Sequence, residues 1–148
     1  MKYNHQGIND IFQTNKSPQA VFEGLRETYQ ACEEFKVDYV IGCSLLEVDC
    51  FPGKATQCAI GQSAADDAKR NAVNEYIAAY SSTSETTQFM FFDLCKKLPL
   101  FALSAEERRL YWDDGVHLTA KGYDRVGELV FELLKPLVTG EGEGEGQQ

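Results

Sequence analysis

The chain has 148 residues, 43% of them hydrophobic and 11% aromatic, which suffices for one globular domain with its own core. Its formal net charge is −9, and although Glu141, Glu143 and Glu145 near the end carry three of those charges, the body stays acidic without them. An acidic surface repels phosphate backbones and anionic headgroups, so nucleic acid and membrane surfaces are disfavoured partners and a small neutral or cationic substrate is left open.

Taken in chain order, the residues before Gly7 occupy the place of a strand end, yet Lys2, Asn4, His5 and Gln6 make a poor buried strand. Ser17-Pro18 reads as an N-cap and first helical residue. Val21, Phe22, Leu25, Tyr29, Cys32 and Phe35 then recur at helical spacing and predict a helix of about five turns. The apolar run Tyr39-Val40-Ile41-Gly42-Cys43 predicts a buried strand. Residues 45–61, with Pro52 and Gly53, form a connection longer than usual, which suggests a loop that builds a site. Ser63, with Asp66 and Asp67 behind it, marks the start of a second helix whose apolar face is Ala65, Ala68, Ala72, Val73, Tyr76, Ile77 and Tyr80. Phe89-Met90-Phe91-Phe92 predicts a strand buried on both faces. A short helix is expected from Ser104. Thr119 caps a last helix with Val126, Leu129, Val130, Leu133, Leu134 and Leu137 on one face and Pro136 near its end.

This alternation is that of an α/β domain with a parallel sheet, assigned to residues 1–138; the Gly/Glu tail 139–148 is expected to be disordered. Two strands are few for three amphipathic helices, so the expectation is a fold lacking upstream elements. Such a fold would expose a sheet edge open to self-association. No stretch reaches the ~20 apolar residues of a membrane span, and the polar start has no apolar targeting core. The expected location is the cytoplasm, subject to any targeting segment lost upstream. The five cysteines are irregularly spaced, so reduced thiols are expected, with Cys50 and Cys58 able to bridge in an oxidising compartment. Without a C-x-x-C pair they make a weak metal set, even with His5 or His117 in support. No G-x-G-x-x-G or G-K-[ST] loop follows either strand, so nucleotide binding has no support.

The sharpest chemical feature is Asp113-Asp114-Gly115-Val116-His117, immediately before the capped last helix. Hydrolysis by an activated hydroxyl needs an imidazole to take the proton and a carboxylate on its other nitrogen. Asp114 and His117 are separated as the ends of one turn, which Gly115 eases. On residues alone, a surface or capping histidine is the competing reading.

The run Trp112-Asp113-Asp114-Gly115-Val116-His117-Leu118-Thr119, followed by Ala120-Lys121-Gly122-Tyr123, resembles the C-terminal catalytic block of SGNH/GDSL hydrolases. Gly7-Ile8-Asn9-Asp10 resembles that family's G-x-N-D block, in the expected order and ahead of a helix. The resemblance implies a three-layer, flavodoxin-like α/β/α fold, truncated at its N-terminus, that hydrolyses carboxylic esters of small molecules through an acyl-serine without metal or organic cofactor. It implies His117 as general base, Asp114 as its orienting acid and the Asn9 amide as an oxyanion donor. Gly7 would allow a close backbone turn, and Asp10 would hold the surrounding loop. The family's Gly-Asp-Ser nucleophile block does not occur in these 148 residues. Ser44 reads as a strand-end hydroxyl and Ser63 as a helix cap. By this reading the chain alone is inactive as an esterase; the alternative is a non-catalytic interaction module or pseudoenzyme that keeps the scaffold.

Overall fold

A computed structural model describes residues 7–13, 16–49 and 64–139. The elements are α1 (Ile8–Gln13), α2 (Pro18–Glu34), β1 (Tyr39–Cys43), α3 (Ala64–Ala79), β2 (Gln88–Phe92), α4 (Leu94–Lys97), α5 (Ala105–Tyr111) and α6 (Ala120–Thr139). The Ser63 cap, the Cys50 and Cys58 pair and residues 140–148 of the Gly/Glu tail lie outside the described residues, while Thr139, assigned to that tail, is the last residue of α6.

Local chemistry sets the element ends. Ser17 caps α2 by accepting the Ala20 N–H, with Pro18 in the first turn. The helix stops where Lys36 takes a left-handed φ of 53° and the Val37 N–H reaches back to the Cys32 carbonyl. Ser104 and Glu107 exchange hydrogen bonds in a capping box that starts α5.

β1 and β2 pair in parallel, with Tyr39 opposite Gln88 and Cys43 opposite Phe92. Partners in this register point to the same side, which assigns the two faces. On one face Val40, Gly42 and Phe89 meet α1, α2 and α3, in a core of Ile11, Val21, Val73 and Ile77. On the other, Ile41, Cys43 and Phe92 meet α6 through Val126, Leu129, Val130 and Leu133. The described residues therefore form three layers, α/β/α, with the parallel sheet in the middle.

Gly42 explains why a glycine interrupts an otherwise apolar strand: a Cβ there would run into the Phe89 ring and Ile77. With no side chain at 42, the ring lies across β1 and stacks edge-on with Tyr80, 4.7 Å between centroids, and against Tyr29 at 5.1 Å.

Three details depart from the sequence expectation. β2 is not buried on both faces: Phe91 is 36% exposed beside a groove against α3. On α3, Ala65 and Ala68 face solvent, while Arg70 is buried. The Gly7–Asp10 block does not precede a helix as a loop, because Ile8, Asn9 and Asp10 already form the first turn of α1.

Candidate active site

The loop between α5 and α6 is closed at its base. Trp112 and Leu118 form an antiparallel bridge, and the Asp113 N–H donates to the His117 carbonyl at 2.9 Å. The Thr119 N–H donates to the Tyr111 carbonyl at 3.0 Å, and its Oγ1–H to the Leu110 carbonyl at 2.5 Å. The same Oγ1 accepts the Gly122 N–H at 3.1 Å, capping α6. Trp112, 1% exposed, and Leu118 anchor this closure in the core shared with α6. Gly115, at φ 89°, supplies the one left-handed residue the loop needs.

Within that frame Asp114 is fully engaged. Its Oδ1 accepts the backbone N–H groups of Val116 at 2.8 Å and His117 at 2.7 Å, and its Oδ2 faces His117 Nδ1 at 2.8 Å. Partial burial alone would raise its pKa, but the His117 N–H, the His117 ring and the Val116 N–H outweigh it and bring the carboxyl down to about 2. An ionised carboxylate only accepts, so Nδ1 carries a proton, and whenever the ring is neutral its lone pair is on Nε2. The His117 side chain is 68% exposed, which turns Nε2 toward solvent.

Asn9 sits exposed in the first turn of α1, with Ile8 and Ile11 buried on either side of it in sequence. Gly7 precedes it at φ 109°, a conformation that disfavours any side chain. A Cβ at Gly7 would meet the Leu45 side chain at 3.2 Å. Asp10 pairs with Lys16 Nζ at 2.7 Å, joining α1 to the residue ahead of the α2 cap, a side-chain ion pair in addition to any loop-holding bond.

Both blocks rest on the connector that leaves the C-terminal end of β1, residues 44–49. Leu45 packs against Gly7 at one end, and the Asp49 N–H donates to the Gly115 carbonyl at 2.8 Å at the other. Four residues of chain span at most about 14 Å, so this connector bounds the separation of its two anchor points. Among the described residues no hydrogen bond joins Asn9 to the Asp114–His117 pair directly.

Sequence reasoning missed what holds the connector. Asn74 clamps Leu45 from both sides, its Oδ1 accepting the Leu45 N–H at 2.6 Å and its Nδ2 donating to the Leu45 carbonyl at 3.1 Å. Arg70, one turn earlier and 4% exposed, adds a bond to the same carbonyl at 3.3 Å and one to Cys95 Sγ at 3.4 Å. The signal was present: Arg70 and Asn74 sit on the same side of α3 as Val73 and Ile77, where polar residues on an apolar stripe need partners.

Ser44 is not poised for attack. It is 3% exposed, its Oγ–H donates to Asp93 Oδ1 at 3.0 Å, and its Oγ accepts the Cys95 N–H at 2.8 Å. Of the cysteines, Cys32, Cys43 and Cys95 are free thiols, and burial pushes Cys43 and Cys95 up. Among the described residues no three His, Cys, Asp or Glu side chains cluster as a metal set, and no helix is long and apolar enough to cross a membrane. Two open grooves lie on the surface of the described residues, the second bordering the connector at Glu47. One, about 520 Å³, lies between α1 and α2 beside Gly7, Asp10 and Val21; the other, about 620 Å³, lies beside Glu47, Arg70, Asn74 and Cys95. Neither is lined by His117.

The sequence matches the GDSL-like Lipase/Acylhydrolase family over residues 5–130, a span containing both Gly7–Asp10 and Asp114–His117. No curated protein and no solved structure matches the chain. The family match covers most of the chain and agrees with a parallel sheet between helical layers, so the chain belongs to the GDSL-like lipase/acylhydrolase family of SGNH α/β hydrolases.

Proposed function

We propose that this chain supplies the general base and an oxyanion donor for hydrolysis of carboxylic esters through an acyl-serine intermediate. The observation that carries the reading is the Asp114–His117 pair, with Nδ1 held at 2.8 Å by a carboxylate whose pKa is brought down to about 2. In the reaction, His117 Nε2 removes the serine proton as Oγ attacks the acyl carbon, then returns it to the leaving alcohol; water repeats the sequence on the acyl-serine. Asp114 stabilises the imidazolium formed in each step. The Asn9 amide donates to the oxygen on which negative charge develops, a contact worth about 2.7–4 kcal/mol in comparable sites.

The serine itself is not among these residues, since no Gly-Asp-Ser block occurs in the sequence and Ser44 is committed to Asp93 and Cys95. The chain alone is therefore inactive by the acyl-serine route. The test joins it to the N-terminal segment of a family member that carries the Gly-Asp-Ser block, and measures hydrolysis of short-chain esters. Activity should appear in the joined protein, and His117→Ala should abolish it. Activity indifferent to that substitution refutes the assigned base, and a folded but inert joined protein favours the non-catalytic scaffold.

A further inference from the structure

The Asp114–His117 pair is assembled without any serine. The loop that carries it is closed by its own backbone bonds, and Asp114 is the ring's hydrogen-bond partner among the described residues, leaving Nε2 and its lone pair in solvent. We infer that the chain has a second, serine-independent activity: His117 acts as a general base on water and hydrolyses esters of electron-poor acids directly.

The step balances with water as the only co-reactant. Nε2 takes a proton from a water molecule as its oxygen bonds to the acyl carbon. The acyl C–O bond then breaks, and the Nε2–H returns the proton to the departing alkoxide. Ester and water become acid and alcohol, and the imidazole is regenerated. Direct attack by Nε2 is the competing path. With an alkyl ester it is unproductive, because imidazole leaves the tetrahedral adduct more readily than an alkoxide does and the adduct reverts. An electron-poor acyl group makes the carbonyl reactive enough for a weak oxygen nucleophile. The substrate class is therefore alkyl esters of halogenated or similarly activated acids.

Asp114 acts as a positioning residue. Its Oδ1 is committed to two backbone N–H groups, so in Asp114→Asn the amide oxygen stays on those donors and Nδ2–H points at the ring. Nδ1 then becomes the acceptor and the proton moves to Nε2, which removes the base while the loop keeps its hydrogen bonds.

This inference rests on His117 being the base of the proposed hydrolase, and its test separates the two. The 148-residue chain is assayed with ethyl dichloroacetate. The expected result is hydrolysis above background that slows in deuterium oxide and falls about a hundredfold in His117→Ala, the low end of what a positioned base contributes. Asp114→Asn should lose the rate while staying folded at the assay temperature, and His5→Ala, which removes the chain's only other imidazole, should keep it. A rate equal in His117→Ala, a rate without a solvent isotope effect, or an inert chain overturns the water route. If the chain is inert while the serine-bearing joined protein is active and His117-dependent, the water route fails and the hydrolase assignment stands.

Discussion

Asp114 holds His117 at two points, one carboxylate oxygen on its backbone N–H at 2.7 Å and the other at its Nδ1 at 2.8 Å. One group thus fixes both where the residue starts and which ring nitrogen bears the proton. In the serine-bearing joined protein, Asp114→Asn should lower kcat by about four orders of magnitude with little change in KM, the loss seen when a triad histidine takes the wrong tautomer. Steady-state kinetics on a short-chain ester check this, and a KM effect without a kcat effect would contradict it.

The same carboxyl sets an acid limit. Its pKa in the fold is lowered from 3.8 to about 2, so the stabilisation it contributes is complete above the ordinary carboxylate range and lost as pH falls from about 4 to about 2. Chemical denaturation across that window should show wild type and Asp114→Asn converging as pH drops. An alkaline limit comes from Tyr29 and Tyr80, both pushed up to about 12, first by burial and, for Tyr80, then by its bond to Glu33. Here the stabilisation is complete below the usual phenol range and lost as pH rises toward about 12. In a spectrophotometric phenolate titration, Tyr29→Phe and Tyr80→Phe should each remove a late-ionising step seen in the wild type.

Asn74→Ala should destabilise the fold by about 1–3 kcal/mol, because it strips the Leu45 N–H of its partner in a part-buried position. Asn74→Asp keeps an acceptor for that N–H but sets a carboxylate against the Leu45 carbonyl, so an intermediate loss is expected. Denaturant unfolding measures both. Amide resonances of Gly7 should shift in either variant, since Leu45 is what Gly7 packs against.

Two glycines of α6 should respond in opposite directions. A Cβ at Gly122 would collide with the Tyr111 carbonyl oxygen, a backbone atom that cannot swing aside, so Gly122→Ala should cost about 1–3 kcal/mol. Gly127 meets nothing within 4 Å and is exposed, so Gly127→Ala should gain about 0.5–1 kcal/mol from helix propensity alone. Melting temperatures that fail to move apart would count against the close contact of α6 with the end of α5.

What was legible in the sequence was what local chemistry decides. Ser17-Pro18, the Ser104 box and Thr119 are side chains that bond their own helix within three residues, so the sequence around them suffices. The Asp114–His117 pair is legible for the same reason, being one turn with its own hydrogen bonds. The seating of α3 was not. Ala65 and Ala68 were read into its apolar face, but an alanine gains little from burial, and the helix instead turns Arg70 and Asn74 inward toward a carbonyl and an amide of the connector. Those partners lie 25 and 29 residues away in the chain, beyond any periodicity argument. The four-residue α4, capped by Asp93, escaped notice because it is shorter than the windows that reveal helical spacing. Asn9 was expected in a loop, and the buried Ile8 and Ile11 pull it into a helix turn.

The grip of α3 on Leu45 has a wider consequence. A side chain swapped on that helix, well away from any reacting atom, shifts a strip of backbone on which the proposed oxyanion donor and the proposed base are both mounted. Drift in α3 would retune the two halves together, and insertions in the strip would uncouple them.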